Sequence, residues 1–148
     1  MHEEHSLPTP LIEARALCKF YGAHEVLHEV SLAIHPREIV TIVGPNGAGK
    51  TTLLSCLIGL LPADRGEVIR ARDLRIGYVP QHFRPQPSLP MNTHHFLTLY
   101  APHALSKIAE LALELGVDHV MDRPLTALSG GELRRVLLLR ALLRVPHV

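Results

Sequence analysis

This chain predicts an α/β fold with a strand-rich first half and a helical second half, and three observations carry that prediction. A short apolar run at 39–43 leads into a glycine-rich loop, and the loop leads into a second apolar run at 53–61. Ahead of that loop, apolar residues alternate as they do along a half-buried strand; after residue 91 they recur at helical spacing. The two halves meet in the stretch 80–90, which holds Pro80, Pro85, Pro87 and Pro90. Proline fixes φ and removes a backbone donor, so a stiff, exposed loop is expected there.

The elements follow in order. Residues 1–10 are polar and read as a flexible tail. Residues 11–17 form a strand, and 26–34 a second one with Val30, Leu32 and Ile34 on its buried face. His35-Pro36-Arg37-Glu38 turns the chain into 39–43, whose unbroken apolar character predicts a fully buried strand. Residues 51–61 are helical, stopped by Pro62. Asp64-Arg65-Gly66 is a turn, and 67–69 and 75–79 are short strands. Helices follow at 92–100, 105–115 and 132–144. The middle one carries Leu105, Ile108, Leu111, Ala112 and Leu115 on one face, with Gly116 placed to cap its end.

Composition narrows the function classes. The chain has 148 residues, of which 47% are hydrophobic, which is enough for a core. A net charge of +1 argues against a nucleic-acid partner held by bulk charge. Cys18 and Cys56 have neither disulfide nor metal spacing, which fits a reduced, cytoplasmic setting. The start, Met1-His2-Glu3-Glu4-His5, lacks the basic and apolar regions of a signal peptide. No apolar run approaches the roughly 18 residues of a membrane span. Eleven histidines invite a metal reading. His94 and His95 are adjacent, so on a helix they diverge by about 100° and chelate poorly. His2 and His5 lie in the tail without the Cys/His spacing of a zinc site.

The glycine-rich loop carries the chemistry. Gly44-Pro45-Asn46-Gly47-Ala48-Gly49-Lys50-Thr51-Thr52 fits the phosphate-loop pattern of a nucleoside-triphosphate binder, the P-loop NTPase class. Gly44, Gly47 and Gly49 let the backbone curl so that its N–H groups point inward, and the helix that follows aims its positive end at the phosphates. Lys50 is the residue to reach the β- and γ-phosphates, and the Thr51 hydroxyl the one to meet a Mg²⁺ ion.

A second motif, Leu128-Ser129-Gly130-Gly131-Glu132, stands just before the last helix, with Ser129 as a candidate cap. Together with the phosphate loop it resembles the LSGGQ or LSGGE signature of ABC (ATP-binding cassette) transporter ATP-binding subunits, and the likeness runs from about residue 11 to 148. The resemblance implies a P-loop ATP-binding domain in its N-terminal part, with a β-rich subdomain and phosphate-loop core at 11–86, a helical subdomain at 87–144 and the start of a further strand at 145–148. It places Tyr21 where the family keeps an aromatic that stacks on adenine, and Gln81 at the Q-loop glutamine near Mg²⁺ and the γ-phosphate. It implies that Ser129, Gly130, Gly131 and Glu132 meet the ATP held by the phosphate loop of a second copy, in a head-to-tail homodimer. Lys50 and Gln81 are then the candidate catalytic residues, and Thr51 and Gln81 the candidate Mg²⁺ contacts.

The link at 69–74 is short for the family, and Leu74-Arg75-Ile76-Gly77-Tyr78-Val79-Pro80-Gln81 with Ser88-Leu89-Pro90-Met91 is similar to the zinc-importer branch. That branch implies a membrane permease partner, with Phe83, Leu89 and Met91 as exposed candidate contacts and a core position as the equal alternative for Leu89. It also implies, indirectly, a periplasmic or extracellular metal-binding protein, and a peripheral place on the cytoplasmic face of the bacterial inner membrane. Manganese and iron-chelate importers are the alternative cargoes. Clamp-type relatives in DNA repair carry long insertions between the two motifs, and none stands between Lys50 and Leu128.

In the family, the next strand ends in an aspartate that holds Mg²⁺ and a glutamate that polarises water. A later loop brings a histidine to the γ-phosphate. The chain reaches only Val145-Pro146-His147-Val148, where that strand would begin. The expectation is therefore a piece of a longer subunit, inactive alone as an ATPase, or a nucleotide binder without hydrolysis if Val148 is its natural end.

Overall fold

The computed structural model describes residues 9–86 and 91–148. The chain divides into two units, Met1–Leu74 and Arg75–Val148, so residues 75–86 group with the helices, whereas the sequence placed that boundary at 86.

In the first unit, strand β1 (Ile12–Tyr21) is the middle of a three-stranded antiparallel sheet. β2 (His24–Ile34) lies on one side of it and β3 (Arg65–Arg70) on the other. β1 runs on past Leu17 through an irregularity: its register shifts between Ala14 and Leu17 against β2 and between Arg15 and Cys18 against β3, with Ala16 at φ 47°. A bulge of this kind inserts a residue and re-aims the side chains that follow. Ile12 and Ala14 are buried before it, and Leu17, Cys18 and Lys19 after it. The Lys19 ammonium is satisfied by Asp64 Oδ1 at 3.0 Å, and Asp64 Oδ2 accepts from the Phe20 N–H at 2.7 Å. That backbone bond first, and the Lys19 bond second, hold the Asp64 carboxyl below its usual range.

Helix α1 (Lys50–Leu57) buries Leu53, Cys56 and Leu57. It stops at Gly59, before Pro62 is reached. With φ 83° there, the Gly59 N–H donates to Cys56 O at 3.2 Å and the Leu60 N–H to Ser55 O at 2.9 Å, a paired closure that satisfies the last carbonyls.

Two expected strands are not formed. Residues 39–43 lie in no ladder, and Ile39 and Val43 are 95% and 86% exposed. A strand persists only where a neighbour takes up its N–H and C=O groups, and among the described residues none runs beside this segment. Residues 75–79 are likewise unassigned. Even so, the Gly77 N–H donates to Val148 O at 2.8 Å and the His147 N–H to Arg75 O at 2.8 Å, so the chain at 147–148 lies alongside 75–77.

The second unit holds helices α2 (Thr93–Tyr100), α3 (Leu105–Glu114) and α4 (Gly130–Leu142), with 3₁₀ turns at Asp118–Val120 and Leu125–Ala127. Its core gathers Leu97, Ile108, Leu111, Val117, Val120, Val136 and Leu139. Burying so many branched side chains is what stabilises helices this short. Gly116 ends α3 as expected, donating to Leu113 O at 3.1 Å while Val117 donates to Ala112 O at 2.8 Å. Among the described residues, no helix is long and apolar enough to cross a membrane.

Candidate nucleotide site

The phosphate loop is shaped by its backbone. Gly49, at φ 81°, is the residue that opens α1, and no side chain caps that helix. Glycine is required there twice over: the left-handed conformation strains any other residue, and a Cβ would stand 2.8 Å from Val26 O and 3.0 Å from the Val26 side chain. β2 thus presses directly against the loop's last glycine. Gly47 is also left-handed at φ 85°, whereas Gly44 is not, so only two of the three glycines supply positive φ.

Lys50 folds back over the loop, its ammonium donating to Gly44 O at 2.8 Å and Pro45 O at 2.6 Å. Those carbonyls hold the charge over the loop mouth, where phosphate oxygens would exchange for them. Thr51 is exposed on the first turn of α1, Thr52 is partly covered, and Pro45, Asn46 and Ala48 are exposed along the loop. Tyr21 ends β1 and is 54% exposed.

The second motif is shaped by side chains. Ser129 caps α4: its Oγ accepts from the Glu132 N–H at 3.3 Å, and Glu132 Oε2 accepts from the Ser129 N–H at 2.7 Å, closing a capping box. Glu132 Oε1 also meets Arg123 Nη1 at 3.2 Å and His119 Nε2 at 3.4 Å. Hydrogen bonds from Ser129, side chain first and then backbone, with Arg123 and His119 adding to them, lower the Glu132 carboxyl to about 2. Gly130 and Gly131 are exposed, and a Cβ on either would meet nothing within 4 Å. Both sit in the first turn of α4, at the helix's positive end. Arg123 and His119 carry no motif signal, since they reach Glu132 only once the turn at Asp118–Val120 and the Leu125–Ala127 turn have folded back toward α4.

Gln81 is exposed just beyond the 75–79 segment. Phe83, expected to be exposed, is partly covered, its ring 5.8 Å from that of Phe96. Phe83, Arg84, Pro85, Gln86, Met91, Phe96 and Leu125 line a cavity of about 310 Å³. Leu89 lies outside the described residues, as do His2 and His5. His94 and His95 are on α2, and among the described residues no group of three His, Cys, Asp or Glu side chains is placed to hold a metal.

The ABC transporter family model matches residues 27–148. The zinc import ATP-binding protein ZnuC of Cereibacter sphaeroides is 50% identical over 138 residues, covering 93% of this chain and 57% of that protein. The protein of the same name from Alkalilimnicola ehrlichii is 47% identical over 140 residues, covering 95% of this chain and 54% of that protein. The chain thus spans a little over half the length of these relatives. Among solved structures, a metal-chelate type ABC transporter in an inward-facing conformation superposes with a TM-score of 0.79 at 23% identity, covering 93% of this chain and 57% of that one. An ATP-binding subunit of an ABC transporter superposes with 0.78 at 24%, covering 92% and 63%. The fold is accordingly that of the ATP-binding P-loop domain of these transporters, present in part.

Proposed function

The chain belongs to the ABC transporter family, and from that premise we propose that it serves as the ATP-binding subunit of a metal-ion importer, with zinc as its cargo. The observation that carries the nucleotide reading is the phosphate loop itself: a left-handed Gly49 opens α1 while Lys50 is held across the loop mouth by Gly44 and Pro45. The cargo rests on the zinc import proteins to which the chain is similar at 47–50% identity.

In this reading ATP sits on the phosphate loop, with Tyr21 stacked on the base and Lys50 on the β- and γ-phosphates. Thr51, exposed on the first turn of α1, offers a hydroxyl that suits a hard cation, and it would hold the Mg²⁺ that accompanies the nucleotide. That ion would neutralise charge building on the phosphates during hydrolysis. Ser129, Gly130, Gly131 and Glu132 face the γ-phosphate of a second copy, so ATP joins two subunits head to tail and its hydrolysis releases them. The cavity beside Phe83 and Met91 receives the membrane permease, which is served in turn by an external metal-binding protein. The subunit works at the cytoplasmic face of the inner membrane.

Lys50→Ala is expected to abolish binding of a fluorescent ATP analogue; undiminished binding would sink the site. Ser129→Arg is expected to leave binding by the single subunit intact and to block ATP-driven dimers seen by light scattering. Uptake of radioactive zinc, rather than manganese, by cells relying on this protein with its permease decides the cargo.

A further inference from the structure

The signature motif poses an electrostatic problem that the structure answers. Glu132 places a carboxylate at the first turn of α4, beside the Gly130 and Gly131 N–H groups that an incoming phosphate would use. A carboxylate is a favourable cap for a helix, but at an anion site it repels the anion. Its charge is met here from outside the motif. Arg123 Nη1 lies 3.2 Å from Glu132 Oε1, and Arg123 Nη2 donates to Ala127 O at 2.5 Å, one residue ahead of the motif. The Arg123 backbone is anchored in turn. Its carbonyl accepts from the Thr93 N–H at 3.0 Å and from Thr93 Oγ1 at 3.1 Å, and Thr93 is fully buried at the start of α2. The fork therefore holds a fixed cation against Glu132, whose side chain is only 15% exposed, while Arg123 itself is 44% exposed.

We propose that Arg123 is a positioning residue of the nucleotide interface: it neutralises the Glu132 carboxylate and locks it into the cap, so that a signature motif with an acidic residue still accepts the γ-phosphate of a second copy's ATP. The proposal rests on the nucleotide reading above. A half-exposed ion pair adds little to folding, so removing Arg123 leaves the fold standing and exposes the charge. Glutamine closes a capping box as well as glutamate does, but without the charge. The Arg123 requirement should therefore vanish when residue 132 is neutral.

The experiment is a double-mutant cycle on the full-length subunit. It follows dimerisation by light scattering against a non-hydrolysable ATP analogue, with single-subunit binding of the analogue and the melting temperature measured alongside. Arg123→Ala is expected to weaken analogue-driven dimerisation roughly tenfold, the scale of one uncompensated charge near a phosphate, with single-subunit binding unchanged. Arg123→Lys, which keeps the charge, loses less. Glu132→Gln sets its own level of dimerisation, and adding Arg123→Ala to Glu132→Gln is expected to change that level by no more than about threefold. If Arg123→Ala folds poorly, Arg123→Gln replaces it in the same cycle. Equal dimerisation of parent and Arg123→Ala overturns the proposal. So does an Arg123→Ala effect as large in the Glu132→Gln background as in the parent, since that marks a purely structural role. If the parent binds no analogue or forms no dimer, the functional reading beneath the proposal fails, and the proposal with it.

Discussion

The phosphate loop and the signature motif are both glycine-rich entrances to a helix, yet they are built in opposite ways. α1 opens on a left-handed Gly49 with no side-chain cap, and the loop is held by backbone conformation and by β2 pressing on that glycine. α4 opens on a full capping box, and its glycines have open space around them. The first is thus vulnerable to any added Cβ, and the second to loss of a particular oxygen or charge. Both units bury apolar side chains, but the run 39–43 of the strand-rich unit, continuous in apolar character, leaves Ile39 and Val43 at the surface.

The sharpest contrast should come from the core. Leu97→Ala, at a fully buried position, is expected to cost about 2–5 kcal/mol in urea unfolding, and a loss below about 1 would mean the helical core is loosely packed. Next, Gly49→Ala should cost roughly 1–3 kcal/mol through backbone strain and the Val26 contact, and weaken analogue binding in step. The same change at Gly131 is expected to leave stability nearly untouched; equal effects at both would erase the distinction between the two helix entrances. Ser129→Ala removes a cap and should cost about 1 kcal/mol, measured by thermal melting.

Glu132 gives a pH signature. Its carboxyl is lowered in the folded state from 4.5 to about 2, so the folded chain binds that proton less readily than the unfolded one. Its contribution is present above about pH 4.5 and fades as pH falls toward 2. Urea titrations across that window should show the parent losing stability more steeply than Glu132→Gln; parallel curves would remove the carboxylate from the cap. The smallest effect is expected of Ile39→Ser, within about 0.5 kcal/mol in this chain. A cost as large as that of a buried isoleucine would show that 39–43 finds a covering surface in solution.

Sequence reading succeeded where the cause is local. The Ser129 cap with Glu132 three residues on and the Gly116 helix end are contacts within a few residues, and residue type alone specifies them. It erred where the outcome depends on a distant neighbour. The apolar run at 39–43 read as a buried strand, but burial and pairing need a second segment beside it. The early end of α1 is a local exception: Gly59 at φ 83° closes the helix before Pro62, through its own N–H to Cys56 O and the Leu60 N–H to Ser55 O.

The sequence by itself determined the two motifs, the Ser129 capping box and the Gly116 helix end, because such patterns and caps are short-range. Only the tertiary structure decided that a bulge at Ala16 re-aims β1, that Asp64 meets the buried Lys19, and that Arg123 lies against Glu132. Those contacts join residues that the chain must first fold to bring together, and pairings made by folding leave no periodic trace in the sequence.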